Sequence, residues 1–236
     1  MFKEPIPLLK EDVDLTVTPL KNYKHAVKLN AVALNYQEVV HASKHYPIFF
    51  AKDGEEYVPF AMLGFEDNSN LFIDKSKNWA ENRYVPLLVR TYPFTLAKTN
   101  AETVSVVYDK TYDGINNKDD KKSFKMFKAK GEFTPQGEQL FKALEDNLKL
   151  LNTTKDIIKI ISEMELFKTL DITIGEKEEK KFVLKNLVQI DAEKLNKLSD
   201  EQLLKLTKSS ALHLIYNHLD SFSNFANLLE RIKKLS

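Results

Sequence analysis

The spacing of apolar residues changes partway along the chain. Up to about residue 108 they fall in short runs and alternations, as in Ile48-Phe49-Phe50, in Tyr57 to Leu63 and in Thr103 to Tyr108 (TVSVVY). Short apolar runs bounded by turn residues are the mark of strands. Beyond residue 134, Leu140, Leu144, Leu148 and Leu151 recur at helical spacing. The pattern predicts an α+β fold. A mixed or antiparallel sheet occupies mainly the N-terminal half, and the C-terminal half is helix-rich with one further hairpin.

Finer signals place the elements. Pro5, Pro7 and Pro19 keep residues 1–24 extended, with Asp14 to Thr18 as an edge strand. His25 to Leu34 reads as a strand or a buried extended run. Asn35 with Glu38 three residues on forms a capping box opening a helix from Tyr36 to His45, which Pro47 ends. Asp53-Gly54 turns a hairpin, and Pro59 assigns its second strand to an edge or a bulge. Asn70 to Asp74 reads as one more short strand. Pro86 favours a helical turn running to Arg90, the alternative being a strand over Val85 to Val89. Phe94 to Ala97 reads as a strand.

Residues 109–122 (DKTYDGINNKDDKK) read as a mobile surface loop. They mark the candidate break within a single 1–236 domain, between a strand-rich 1–108 and a helix-rich 123–236. Thr134-Pro135 starts a helix, and Thr153 or Thr154 caps a second one. Leu170 to Ile174 and Phe182 to Ile190 flank the charged run 175–181 as the further hairpin. Helices then follow over Ala192–Leu198, over Glu201–Leu206 behind a Ser199/Gln202 capping box, over Ser210–Leu219, and over Ser221–Leu235 with Ser221 as N-cap.

Composition narrows the function classes. With 43% hydrophobic residues, including 15 Phe and 9 Tyr, the chain has ample material for a core. Its 35 basic and 34 acidic residues leave a net charge of +1, so no overall field favours nucleic acid or an anionic membrane. There are no cysteines, which excludes disulfides, thiolate metal sites and a cysteine nucleophile. No apolar run approaches the ~20 residues of a spanning helix, so no transmembrane segment is expected. The first residues, MFKEPIPLLK, lack the apolar run of a cleavable signal peptide. The expected compartment is the cytoplasm, or the cell surface if export proceeds without cleavage.

Candidate chemistry concentrates in Asn78 to Phe94 (NWAENRYVPLLVRTYPF), which holds the only tryptophan and two of the three arginines. Guanidinium forks bind carboxylate or phosphate, and aromatic faces stack on ligands. Trp79, Arg83, Tyr84, Arg90 and Tyr92 are therefore the candidate ligand- or partner-binding residues. The structural alternative is that the arginines pair with buried carboxylates such as Asp74 while Trp79 fills the core.

Other constellations are weaker. Glu38, His41 and His45 share a helix face, and Glu-x-x-His is half of a di-iron site, but the second half is missing. A mononuclear metal site needs another ligand from His25, His213 or His218, and hydrogen-bonded surface histidines are the plainer reading. His218 with Ser221 lacks the G-x-S-x-G elbow of a hydrolase. The six glycines are isolated, so no phosphate-binding loop is present. No catalytic residue, metal or cofactor is assigned on these grounds. The apolar face of the last helix, with Phe222, Phe225, Leu228, Leu229, Ile232 and Leu235, packs on its own domain or docks on a partner.

Taken together, NLFID (Asn70–Asp74), Trp79, RYVPLLVRTYPF (Arg83–Phe94), NLVQID (Asn186–Asp191) and LHLIYNHLDSF (Leu212–Phe222) resemble the SapC family of bacteria. YPIFF (Tyr46–Phe50) and FAMLGF (Phe60–Phe65) fit its earlier part, so the resemblance covers nearly the whole chain. It implies an association with bacterial surface layers, the family being named from a surface-array locus that also encodes export machinery. It implies no catalytic activity, cofactor or catalytic residue. The family tends to carry a glycine before the penultimate helix, where this chain has Ser209-Ser210-Ala211.

The expectation is a non-catalytic accessory or binding protein of surface-layer biogenesis, with a polypeptide cargo or secretion component as partner. A surface-layer subunit is the alternative, although such lattices demand extended faces or repeats that this chain lacks. An enzyme acting on a surface polymer or peptide comes third. The oligomeric state is left open.

Overall fold

The computed structural model describes residues 1–98, 104–116, 120–174 and 182–235. Its strands are β1 (Pro5–Pro7), β2 (Thr16–Val17), β3 (Ala31–Ala33), β4 (Ile48–Asp53), β5 (Glu56–Met62), β6 (Phe94–Lys98), β7 (Val104–Asp109), β8 (Phe124–Lys125), β9 (Phe167–Ile174) and β10 (Phe182–Ile190). Its helices are α1 (Tyr36–Ala42), α2 (Leu87–Arg90), α3 (Pro135–Glu163), α4 (Ala192–Leu195), α5 (Asp200–Lys208), α6 (Ala211–Asp220) and α7 (Phe225–Leu235). The strands form a five-stranded sheet of order β3-β5-β4-β10-β9, a three-stranded sheet of order β1-β7-β6, and the pair β2-β8. All pairings are antiparallel, so the fold is α+β.

Two apolar clusters hold these layers together. The larger gathers Tyr46, Phe49, Phe50, Leu63, Phe72, Ile161, Ile190, Leu214 and Leu228 between the five-stranded sheet and its helices. The smaller gathers Leu15, Val17, Phe94, Tyr108, Met126, Phe127 and Leu144 under the three-stranded sheet. Both draw on segments before and after residues 109–122. The last helix packs on its own domain: Leu228 is fully buried, and Phe225, Leu229 and Ile232 lie against the larger core.

Local signals act as their chemistry dictates. The Asn35 side chain accepts from the amides of Gln37 and Glu38 while Glu38 reaches back to the Asn35 amide, closing the predicted capping box. Ser199 and Gln202 close the second one. Gly54 supplies the left-handed φ of 61° at the β4–β5 turn. Pro86 precedes a helical turn rather than a strand.

Several expectations are corrected. Pro59 lies on neither an edge strand nor a bulge, because β5 runs between β3 and β4. Its missing N–H faces the β3 side, where that strand has ended and Leu34 donates to the Pro59 carbonyl at 2.9 Å. Residues 70–74 make only an isolated bridge between Ile73 and Trp79. Of the extended run predicted from His25 to Leu34, only β3 is strand, and Lys24–Ala26 forms a 3-10 turn.

The two helices predicted from Thr134 onward are one, the 29-residue α3. Thr153 and Thr154 open no second helix: their hydroxyls donate to the carbonyls of Lys149 and Leu150 at 3.1 and 2.6 Å within α3, and Thr154 Oγ1 also accepts from the Tyr36 amide at the start of α1 at 2.8 Å. Ser221 ends α6 instead of opening the last helix. Its hydroxyl donates to the His218 carbonyl at 2.5 Å and accepts from the Ile48 amide at 2.9 Å. The charged run 175–181 lies outside the described residues.

Candidate functional site

The segment from Asn78 to Phe94 lies against two distinct surroundings, and its five candidate residues do not form one site. Trp79 is buried, 7% exposed, in the larger core. Its indole N–H donates to the Tyr46 hydroxyl at 3.0 Å, and that hydroxyl donates to the Tyr84 carbonyl. Trp79 thus anchors the start of the segment.

Arg83, Tyr84 and Arg90 come together around α1. The Glu38 carboxylate that completes the capping box also reaches α2. Its Oε1 accepts from the Tyr84 hydroxyl at 3.0 Å and from the Leu87 amide at 2.6 Å. Arg90 is exposed, donates to the Tyr84 hydroxyl at 3.3 Å and lies 5.5 Å from the Tyr84 ring centre. Arg83 donates to His45 Nδ1 at 3.3 Å. Asp74 meets no arginine: it accepts from the Asn78 amide at 2.8 Å. Among the described residues no arginine takes part in a carboxylate ion pair.

The arrangement around α1 does not gather metal ligands. Both Glu38 oxygens are engaged by N–H and O–H donors, His41 stacks on the Tyr84 ring at 5.7 Å, and His45 faces Arg83. Burial, then the Arg83 charge, lowers the His45 pKa below its usual value. Among the described residues no group of three or more acidic or histidine side chains is placed to hold a metal ion.

Tyr92 lies elsewhere, in a cavity of about 730 Å³ that the sequence reading did not anticipate. Its ring stacks flat on His25, 4.1 Å away and tilted by only 6°, and meets Tyr112 edge-on at 5.5 Å. The His25 Nε2–H donates to the Val89 carbonyl at 3.1 Å. Burial lowers the His25 pKa to about 4 despite that bond, so the ring is neutral near pH 7. Lys3, Lys21, Lys24, Lys28 and Lys77 rim the cavity, with Asp113 as the one carboxylate among its lining residues. Asp113 is itself paired with Lys24.

Asp109 ties three of the lining residues, Lys3, Tyr92 and Thr111, to one carboxylate. Fully buried, it accepts from the Tyr92 hydroxyl at 3.1 Å, the Lys3 amide at 2.8 Å, the Glu4 amide at 3.3 Å, the Thr111 hydroxyl at 2.7 Å and the Thr111 amide at 3.0 Å. Burial alone would raise its pKa; these donors outweigh it and hold the carboxyl at about 2. Tyr112 donates to the Thr18 carbonyl at 2.9 Å. Its ring lies so close to Gly114 that a Cβ there would come within 2.4 Å. Residues 109–116, read from sequence as the start of a loose loop, are therefore pinned on both sides; 117–119 lie outside the described residues.

Two signals for the cavity were present in the sequence: the lysine-rich stretch 21–28 and the neighbouring Asp109 and Tyr112. Nothing in their spacing brings them to Tyr92. His218, weighed earlier as a base, is fully buried with both ring nitrogens bonded to backbone groups, and Ser221 is bonded likewise. No helix among the described residues is long and apolar enough to cross a membrane.

Fold and site together define a cysteine-free α+β protein with an aromatic-floored, lysine-rimmed cavity. The chain belongs to the SapC family, whose model matches residues 10–228 of the 236. No match was found among curated proteins or among solved structures.

Proposed function

We propose that the protein is an accessory binding protein of surface-layer biogenesis, and that it receives an acidic segment of a polypeptide partner in the His25–Tyr92 cavity. The cavity carries this reading. Its size falls in the range of ligand-holding pockets, about 300–1,000 Å³. Lysines at the rim attract carboxylates, and the stacked rings below offer an apolar face. Family membership supplies the link to surface layers, because the family is named from a surface-array locus.

The choice of a binding role over an enzyme rests on how the polar groups of the site are used. His25, Tyr92 and Asp109 are each committed to a partner within the fold. They act as walls.

The test is co-purification from native cells, with the wild-type chain and a Lys28→Glu/Lys77→Glu variant as baits. A stable polypeptide partner retained by the wild type and lost by the variant supports the reading. Equal capture by both, or recovery of a bound small molecule in place of a polypeptide, overturns it. Cell fractionation separates the accessory role from that of a lattice subunit, since a subunit is recovered only in the external layer.

A further inference from the structure

Two of the lysines around the His25–Tyr92 cavity already hold a carboxylate of the chain itself, and the two pairs are unlike. Lys21 bridges to Asp120 at 2.8 Å. The Asp120 side chain is only 16% exposed and accepts from the Lys122 amide at 3.0 Å, so it is fixed from its own side. Lys24 pairs with Asp113, and both residues line the cavity. The Asp113 side chain is 72% exposed, and among the described residues Lys24 is the one side chain it is bonded to.

The backbone that carries Asp113 is held while its side chain is not. Thr18 clamps the turn on both sides of the residue. Its carbonyl accepts from the Tyr112 hydroxyl at 2.9 Å, and its amide donates to the Gly114 carbonyl at 2.9 Å. Ile115 then bridges to Val17. Only the side-chain torsions of Asp113 need change for its carboxylate to leave Lys24.

The exchange is chemically undemanding. A lysine ammonium is a point charge with three donors and no acceptor, so one carboxylate serves it as well as another. An ion pair between two exposed side chains contributes little to stability, and replacing it costs correspondingly little. Its bond to Lys24 also holds the Asp113 carboxyl below its usual pKa, so the group is charged near pH 7 and repels an acidic ligand for as long as it stays. We propose that Asp113 is the specificity-determining residue of this cavity: it occupies the seat of a ligand carboxylate on Lys24, and an acidic segment binds by displacing it. A neutral segment brings nothing to exchange and leaves the pair closed. This inference rests on the reading of the cavity as the seat of an acidic segment.

The test uses the full chain and a dye-labelled hexaglutamate peptide, amidated at its C-terminus. In fluorescence anisotropy Asp113→Asn keeps the shape of the side chain, removes the competing charge and is expected to bind the peptide at least threefold more tightly than the wild type. Zero-length carbodiimide crosslinking of the wild type, read by mass spectrometry, is expected to link Lys24 to Asp113 without peptide and Lys24 to the peptide at saturation. Equal affinity of the two proteins overturns the proposal. So does a Lys24–Asp113 link that saturating peptide leaves undiminished; peptide coupled to Lys28 or Lys77 in that case keeps the cavity as the acidic site. Binding by neither protein overturns the exchange too, and the co-purification from native cells then decides separately on the proposed function. The crosslinking is carried out on the wild type and decides even if Asp113→Asn fails to fold.

Discussion

Ile48 and Ile190 are joined through the imidazole of His218. Nδ1–H donates to the Ile48 carbonyl at 2.8 Å, and Nε2 accepts from the Ile190 amide at 3.1 Å. The register Phe50↔Val188 places these residues opposite each other on β4 and β10. A side chain from α6 therefore supplies a rung between two strands, and the tautomer is set by its two partners. His218→Ala leaves two buried backbone groups without partners, each costing about 1–3 kcal/mol, in addition to the cavity. We expect a loss of stability on the order of 4 kcal/mol in urea denaturation.

Acid should weaken the fold in two stages. Burial lowers both His218 and His25 to about 4 from an ordinary 6.5. As pH falls below 6.5 the unfolded chain takes up protons that the fold refuses, so stability drops until about pH 4 and these two groups then contribute no further change. Asp109 acts next, with an ordinary value of 3.8 and a folded value of about 2. Its contribution is intact above 3.8 and is lost on the way down to 2. Melting temperature measured from pH 7 to pH 2 should fall throughout, and His218→Gln should flatten the upper part of the curve. A flat profile from pH 6.5 to 4 in the wild type would contradict the assignment.

Ser210 has a left-handed φ of 64°, at the turn between α5 and α6. This is the position region where the family resemblance leads one to expect glycine. A side chain pays about 1–2 kcal/mol for that conformation, while glycine gives part of the gain back through its freer unfolded chain. Ser210→Gly is expected to stabilise by about 0.5–1 kcal/mol, seen as a rise in melting temperature with binding unaltered.

Glu38 accepts from four donors: the Asn35 amide and side chain, the Tyr84 hydroxyl and the Leu87 amide. Glu38→Gln turns one acceptor into an NH₂ group that faces donors. We expect a loss of about 1–3 kcal/mol, with amide exchange accelerated in both α1 and α2. If only α1 exchanges faster, the bond to Leu87 contributes little.

These residues also show what could be read from the sequence. The Asn35/Glu38 box, the Ser199/Gln202 box and the Asp53-Gly54 turn involve groups a few residues apart, so spacing alone locates them. The same Glu38 bonds Tyr84 and Leu87, 46 and 49 residues away, and no local pattern encodes that. The candidate cluster divides for a similar reason: Trp79 turns into the larger core, whereas Tyr92 crosses to His25. Thr153-Thr154 misled for a different reason. A threonine that caps and one that bonds back to the fourth carbonyl behind it look alike in sequence.

The unbroken α3 has a consequence for how the molecule comes apart. Leu144 lies in the smaller apolar cluster and Ile157, Ile158 and Ile161 in the larger. At a rise of about 1.5 Å per residue, one stiff rod splints the two together over several turns. Neither cluster can loosen without fraying the rod that the other needs. The chain should therefore melt in one calorimetric transition, and a proline placed at Lys149 should split it into two.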